Sequence, residues 1–185
     1  MSTAFWGCIN LTTINDIDGN WCSDVTSMYG MFVNCTSLTT LDVSNWDVSN
    51  VIDMGDMFGN CTSLTTLDVS NWNVSNVVNK FNLMGQIFYN VPLDIASYEA
   101  LLIGWSQLPS LQPNLTFGAN LAKYQSLEAS KARQHIIDTY GWTFIDAGQT
   151  DSFIFTIDTT LGTGNSFDLP LRSGYNYDFV VDWGD

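Results

Sequence analysis

A long segment occurs twice in this sequence, at residues 31–51 and 57–77, and this repetition constrains the fold more than any other feature. The two copies differ only where Val33 becomes Gly59 and Asp47 becomes Asn73. A degenerate earlier copy begins at Ala4, and a later copy loses the pattern after Val77. A period of about 26 residues predicts stacked repeat units, each of which buries its apolar residues against its neighbours.

The apolar spacing changes within one unit. Its first part carries apolar residues three and four positions apart, which predicts one face of a short helix (Val51, Met54, Met57, Phe58 and Cys61). Its second part has the pattern L-x-x-L-x-V, which predicts a short strand (Leu64, Leu67 and Val69). The predicted fold class is therefore an α/β repeat solenoid of the leucine-rich-repeat type, with short parallel strands and short helices.

The repeated word also resembles a known family. F-x-N-C-T-S-L-T-x-L-D-V-S-N-W-D-V-S-N-V-x-x-M is similar to the BspA-like leucine-rich-repeat surface proteins of bacteria, which are also found in some protists and phages. The resemblance spans residues 4–91. It implies an extracellular role in adhesion or in binding matrix or host proteins, and it offers no catalytic residues.

Three regions are predicted: a solenoid over 4–91, a helix–strand capping block over 92–148, and an incomplete β domain over 149–185. The capping block alternates helix, strand, helix and strand, and an open solenoid end requires such a cover. Its two predicted helices each present four inward residues (Tyr98, Leu101, Leu102 and Trp105; Leu127, Ala132, Ile136 and Tyr140). The word V-D-W-G-D at the C-terminus resembles PKD-like β-sandwich domains.

The charge distribution excludes several partners. The 185-residue chain has a formal net charge of −14, and its first basic residue is Lys80. Eight aspartates and no cation precede that residue, so the repeats repel nucleic-acid phosphates and anionic lipid. No apolar run approaches the roughly 20 residues of a membrane span, and the first residues do not predict a signal peptide. We expect an extracellular location, on a cell or virion surface.

The candidate binding residues lie on the predicted strands. If Leu38, Leu41 and Val43 point inward, the alternate positions face outward, once in each copy. They form an acidic, hydroxyl-rich surface that we call the polar strip (Thr40, Asp42, Ser44, Thr66, Asp68 and Ser70). In solenoids this face binds partners, although the same residues also suit a solvated face without a partner.

Two further columns follow from the period. Cys8, Cys35 and Cys61 share one repeat position, which predicts buried thiols packed as small hydrophobic groups rather than metal ligands or disulfides. Cys22 lies outside this column, which allows exposure. Trp46 and Trp72 share another position, which predicts packing along the solenoid, with a carbohydrate platform as the alternative.

No catalytic motif accompanies these columns. His135 is the only histidine, and its polar helical neighbours predict a solvated position. Asp16-Ile-Asp18-Gly-Asn20 only faintly resembles a calcium loop. We therefore expect no enzyme activity, metal site or cofactor, with loose Ca²⁺ binding left open. The predicted function is a surface-exposed binding or adhesion module for a protein or glycan partner. The alternative is a structural segment of a phage fibre or virion decoration that acts as a spacer.

Overall fold

The computed structural model describes residues 2–14, 22–78 and 85–150. Within them the fold is mixed α/β, with short parallel strands, two helices and a large aromatic cluster. The elements are β1 (Thr13–Ile14), β2 (Thr40–Leu41), α1 (Ile95–Ser106), β3 (Thr116–Ala119), α2 (Leu127–Tyr140) and β4 (Thr143–Asp146). β1 pairs in parallel with β2, and β3 pairs in parallel with β4.

The repeated segments are joined side by side through their backbones. The N–H groups of Gly30, Phe32 and Asn34 donate to carbonyls of the next copy at 2.8 Å. Residue 27 forms a parallel bridge with residue 53. The 31–51 and 57–77 copies are therefore parallel neighbours, as the period predicts. The later copy keeps this alignment despite its longer spacing, because the N–H of Phe58 donates to the carbonyl of Ile87 at 3.0 Å.

The predicted short helix within each unit is wrong. Residues 55–60 form successive turns, in which the N–H of Gly59 bonds the carbonyl of Asp56. Two causes prevent an α-helix. The N–H of Asn60 donates to the carbonyl of Tyr89 at 2.7 Å and so cannot form an intrahelical bond. In addition, Asp56 and Asn60 have φ values of 54° and 61°, which belong to the left-handed region.

The strand in each unit is shorter than the L-x-x-L-x-V pattern predicts. Only residues 40–41 of the second copy are paired, and the matching L-x-x-L-x-V segment of the next copy is not a strand. There the N–H of Leu67 donates to the hydroxyl of Ser97 at 3.2 Å. Helix α1 thus occupies the place where a further strand would pair.

An asparagine ladder runs through the turns. Asn60 donates its side-chain amide to the amide oxygen of Asn34 at 3.0 Å, and Asn90 donates to Asn60 at 2.9 Å. All three residues have left-handed φ values, which asparagine tolerates better than most residues. Gly7, near the matching position of the first copy, has a φ of 73°. The ladder therefore joins a required backbone turn to a bond between neighbouring units.

The core is a column of aromatic rings. Phe5, Phe32, Phe58 and Phe88 stack with centroid separations of 5.2, 5.5 and 5.5 Å. The column continues from Phe88 to Phe117 of β3 at 6.1 Å. Such pairs add about 0.5–1.5 kcal/mol each beyond simple burial. The repeats and the helix–strand block consequently share one core.

Helix α1 packs directly on the repeats. Asp94 caps its N-terminus by accepting the N–H of Ser97 at 2.7 Å, as the sequence allows. The predicted inward face of α1 is confirmed, since Tyr98, Leu101, Leu102 and Trp105 are all buried. Gly104 lies so close to the carbonyl of Ser70 that a Cβ atom would clash with it.

The inward face predicted for α2 needs correction. Ala129, Ala132 and Ile136 are buried, whereas Leu127 is exposed and Tyr140 is only partly buried. Leu127 is the first residue of the helix, directly after the N-cap Ser126. A residue at the start of a helix has no preceding helical turn beside it. The apolar side chain of Leu127 is therefore not enough to place it in the core.

An ion pair lies between α2 and β4. Arg133 contacts the carboxylate of Asp146 through two nitrogens, at 2.8 and 3.2 Å. Tyr98 of α1 donates its hydroxyl to the same carboxylate at 2.7 Å. The Asp146 side chain is only 3% exposed, and the Arg133 guanidinium stacks 4.8 Å from the Phe144 ring centroid. This network connects both helices to the edge strand.

Substitution of Asn60 separates the two roles of the asparagine ladder, which are to adopt the left-handed turn and to bond neighbouring units. Asn60→Ala removes both side-chain bonds and places an ordinary residue at φ 61°, so we expect a loss of about 2–3 kcal/mol in the free energy of unfolding. Asn60→Gly removes the same bonds without the strain, and it should cost about 1 kcal/mol less. Urea unfolding of both variants measures the difference. Equal losses would contradict a conformational role.

Substitution of Asp146 tests the buried ion pair. Asp146→Ala leaves the partly buried Arg133 charge and the buried Tyr98 hydroxyl without their acceptor, so we expect a loss of about 3 kcal/mol. The exposed Asp138, which accepts a bond from Gln134 within α2, provides the control. Asp138→Ala should cost about 0.5 kcal/mol or less. Similar thermal unfolding temperatures for the two variants would contradict the structural role of this network.

Candidate functional site

The polar strip is held by local turns. One carboxylate oxygen of Asp42, Oδ1, accepts the backbone N–H of Ser44 at 3.1 Å and its hydroxyl at 2.7 Å. Asp68 and Ser70 repeat this arrangement at 3.0 and 2.7 Å. An aspartate commonly stabilises a turn by accepting the backbone N–H two positions later. The strip is therefore ordered before any partner binds.

Each carboxylate of the strip keeps one oxygen available. Among the described residues, no hydrogen bond reaches Oδ2 of Asp42 or Asp68. Both residues are exposed, so this oxygen faces solvent. Because an ionised carboxylate accepts hydrogen bonds only, the strip presents one free acceptor per unit at a fixed position.

A second turn of the same kind follows in each unit. Oδ1 of Asp47 accepts the N–H and hydroxyl of Ser49 at 3.1 and 2.6 Å. In the next copy Asn73 takes this place and accepts the N–H of Ser75 at 3.2 Å. The turn consequently forms with either an acid or an amide, and the negative charge is not needed for it.

Hydrogen bonding further favours the charged form of Asp42 and Asp47. The hydroxyl and N–H of Ser44 lower the pKa of Asp42 below its ordinary value of 3.8, and Ser49 does the same for Asp47. The stability that these bonds contribute is present above the ordinary pKa and is lost as the pH falls through the lowered pKa of the folded state. Both residues are therefore ionised at neutral pH.

The threonines of the strip connect it to its neighbours. Thr40 donates its hydroxyl to that of Thr13 in the preceding copy at 3.3 Å. Thr66 donates to the carboxylate of Asp94, the α1 cap, at 3.3 Å. The adjacent Thr39 and Thr65 are also exposed, although the alternation argument assigned only one outward threonine to each unit. The sequence signal for them is the pair of threonines between the two leucines.

The strip has no cation of its own. No Lys or Arg precedes Lys80 in the sequence. Arg133, in the helix–strand block, is already bound to Asp146. Like charges on neighbouring units repel weakly in water, by about 1 kcal/mol or less at about 4 Å, and salt weakens this further. Among the described repeat residues, 2–14, 22–78 and 85–91, no Lys or Arg is present to neutralise this repulsion.

A shallow groove adjoins the end of the strip. Its volume is about 510 Å³. It is lined by two residues of the repeats and five of α1 and its C-terminal end (Ser70, Asn71, Ala100, Ile103, Gly104, Gln107 and Leu108). The sequence signal for this site is Gly104, because a glycine inside a helix often marks a close approach of two backbones.

The cysteines occupy two environments. Cys35 and Cys61 are buried, and their thiols donate to the carbonyls of Phe5 and Phe32 at 3.0 and 3.1 Å. Cys8 departs from the predicted ladder because it is exposed. It belongs to the first copy, and no earlier copy is available among the described residues to cover it. Cys22 is buried rather than exposed, and it donates to the carbonyl of Asp47 at 3.4 Å.

Burial makes the inner thiols poor nucleophiles and ligands. It raises the pKa of Cys61 to about 12, and it raises the pKa of Cys35 as well. Within residues 2–14, 22–78 and 85–150, no group of three or more His, Cys, Asp or Glu side chains is arranged to hold a metal ion. The weak calcium-like segment 16–20 lies outside these ranges.

The tryptophans pack inside the repeats. Trp46 and Trp72 are both buried and stack at 6.2 Å. The indole of Trp72 donates to the carbonyl of Val43 at 3.0 Å, and Trp105 donates likewise to Val69 at 2.9 Å. Buried rings cannot form a carbohydrate platform, so that alternative is wrong for this pair.

The single histidine offers no catalytic pair. His135 is exposed on α2, where its Nδ1 lies 3.3 Å from the hydroxyl of Thr139.

The described part of the chain contains no helix that is both long and apolar enough to cross a membrane.

Comparison with known proteins identifies a family but no characterised relative. A family model described as "Mycoplasma protein of unknown function, DUF285" matches residues 1–99. No curated protein and no solved structure matches the chain.

Thiol labelling tests the two cysteine environments. A maleimide reagent at neutral pH should label exposed Cys8 within minutes and should reach Cys22, Cys35 and Cys61 only as the protein unfolds. Mass spectrometry of peptides after a short pulse, with and without denaturant, identifies the labelled sites. Rapid native labelling of Cys35 or Cys61 would contradict their burial, and Cys8→Ser provides the background control.

Proposed function

The chain belongs to the DUF285 family, and on the geometry of its repeats we propose that it is a surface-exposed binding module of the leucine-rich-repeat solenoid type. The proposed location is a cell or virion surface, in line with the resemblance to BspA-like surface proteins. The proposed role is to hold another protein through the polar strip. No catalytic step belongs to this function.

The repeat contacts support the solenoid. Each copy contacts the next through parallel backbone bonds and the phenylalanine column, and the later copies also through the asparagine ladder. Repeat proteins are stabilised mainly by such contacts between neighbours. Curved or straight, this arrangement presents equivalent residues of successive units on one surface, which is the property that a binding face needs.

The observation that carries the proposed function is the hydrogen bonding of the strip carboxylates. Asp42 and Asp68 use one oxygen to fix their turn, and the second oxygen is exposed. Because Asn73 supports an equivalent turn, folding alone does not require a charge at these positions. A partner that bears Lys or Arg would gain charge-assisted bonds to these preformed acceptors without ordering their side chains.

The groove beside Ser70 extends this surface. It adds apolar side chains, Ile103 and Leu108, next to the polar end of the strip. Protein interfaces commonly combine a small apolar centre with a polar rim. A protein partner therefore uses the available surface more fully than a glycan, which would contact mainly the exposed threonines.

The spacer function is the second candidate. The aromatic column and the asparagine ladder make the repeats stiff whether or not a partner binds. In that case the strip would be a solvated face whose aspartates serve only as turn residues. The two functions predict different effects on partner binding when the negative charge of the strip is removed.

Neutralising the strip distinguishes the two functions. Asp42→Asn with Asp68→Asn keeps the turn acceptors and removes two charges. We expect binding to weaken about tenfold or more, while the free energy of unfolding changes by about 0.5 kcal/mol or less. Attachment of the full chain to an array of host-surface proteins and of Lys- and Arg-rich peptides measures binding, and urea unfolding measures stability.

A charge-matched control shows whether the position matters. Asp24→Asn with Asp47→Asn removes two exposed charges outside the strip, and it should weaken binding no more than about twofold through the long-range field. Equal losses of binding for both double variants would show that the effect depends on net charge and not on the position of the aspartates. Undiminished attachment of the strip variant would favour the spacer.

A further inference from the structure

Helix α1 and residues 65–70 of the repeats run alongside each other in the same direction. At the start of this pair, the N–H of Asp94 donates to the carbonyl of Thr65 at 2.7 Å. At its end, Gly104 lies directly against the carbonyl of Ser70. The groove of about 510 Å³ lies at this end, with the repeats on one side and α1 on the other. It therefore separates two chain segments that run in parallel.

The groove combines an apolar lining with free amides. Ile103 and Leu108 are partly buried hydrophobic residues, and Ala100 leaves room because its side chain is a single methyl group. Asn71, from the repeats, and Gln107, at the end of α1, are exposed. Among the described residues, neither side-chain amide has a hydrogen-bond partner. Each amide has both donors and an acceptor, so the groove offers both kinds of group to a ligand.

These amides suit an extended peptide better than a helix. Inside a helix the backbone N–H and C=O groups already bond to each other, whereas an extended segment keeps them free for a partner. The amides of Asn71 and Gln107 would bond such a backbone from the two sides of the groove. One side chain of the peptide would then enter between Ile103 and Leu108, where its burial contributes to affinity.

A carboxylate lies two residues from the groove. Asp68 bonds Ser70 through Oδ1, and its exposed side chain keeps Oδ2 toward solvent. Asp68 is exposed between the buried Leu67 and Val69, which is the alternation of an extended chain. A peptide that lies along this segment has a similar rise per residue. Its residues two positions apart point to the same side, about 6.6 Å from each other, so a basic residue two positions from the buried one reaches Asp68.

We propose that the groove binds an extended segment that carries a large apolar residue and a basic residue two positions from it. The apolar side chain enters between Ile103 and Leu108, the amides of Asn71 and Gln107 bond the backbone, and the basic side chain meets Asp68. This inference rests on the proposed binding function, and it names the kind of segment that the protein partner presents.

Two peptides of equal composition test the spacing. The first is a serine- and glycine-rich nonapeptide with the central order Arg-x-Leu-x-Arg, which has an arginine two positions from the leucine in either direction. The second has the order x-Arg-Leu-Arg-x, so that in an extended conformation its arginines point away from the side of the leucine. Fluorescence polarisation with the full chain should show that the first peptide binds about threefold more tightly.

Two protein variants locate the leucine. Ala100→Phe fills the groove without removing a core side chain, and it should weaken binding of the first peptide about tenfold or more because the leucine is no longer buried. His135→Phe places the same ring at an exposed position of α2, and it should leave binding unchanged. Thermal unfolding of both variants verifies that each is folded.

Surface variants test the polar contacts without altering the core. Asn71→Ala with Gln107→Ala should weaken both peptides alike, by about fivefold, because the backbone bonds do not depend on the arginines. Asp68→Asn should remove the preference for the first peptide. Asp42→Asn, at the equivalent position of the preceding copy, is the matched control and should keep that preference.

Four results would overturn the inference. They are a failure of both peptides to bind, equal binding of the two, equal effects of Ala100→Phe and His135→Phe, and tighter binding of a stapled helical peptide with its leucine and arginines one turn apart. If attachment to the protein array still depended on Asp42 and Asp68, the proposed function would stand without this groove site. If the first peptide bound as expected while array attachment ignored the strip, the proposed role of the strip would fail instead.

Discussion

The left-handed turn at Asn34, Asn60 and Asn90 is the constraint on which the repeats depend. It recurs at the same place in each of these copies, two residues after a phenylalanine that stacks on its counterpart in the next copy. In the first two of them it is followed by a buried thiol, Cys35 or Cys61. Asparagine suits this position for two reasons. It tolerates a positive φ, and its side-chain amide has both a donor and an acceptor. A residue with both groups can bond to an identical copy of itself, as a charged or purely apolar residue cannot.

Self-pairing also explains why the two long copies are nearly identical. A phenylalanine stacks on a phenylalanine, an asparagine bonds to an asparagine, and a tryptophan stacks on a tryptophan. A change at a position with a copy on either side alters two contacts, one with each neighbour. Asp47 and Asn73 show the contrasting case, since each bonds within its own turn and the position is free to vary.

The sequence predicts the stacking well and the local backbone poorly. The period alone predicts parallel neighbours, the buried Cys35 and Cys61, and the packing of Trp46 against Trp72. The spacing from Val51 to Cys61 predicts a helix because successive tight turns place apolar side chains at nearly the same intervals. Periodicity cannot reveal that alternate N–H groups bond to another copy, since this depends on contacts between segments that are distant along the chain. For the candidate site, alternation predicts that the strip aspartates are exposed, but the bonds from Ser44 to Asp42 depend on turn geometry.

The backbone bonds between the turns of neighbouring copies run in one direction, from N–H groups of the earlier copy to carbonyls of the later one. At the later end the chain itself meets the remaining groups, because the N–H of Phe88 donates to Gly118 and the N–H of Asn90 donates to the side chain of Asn120. Helix α1 covers the same end, with Ser97 accepting the N–H of Leu67. In the turns, each middle copy thus offers its carbonyls to the copy before it and its N–H groups to the copy after it. The helix–strand block fits the later end because it supplies the acceptors that these N–H groups need.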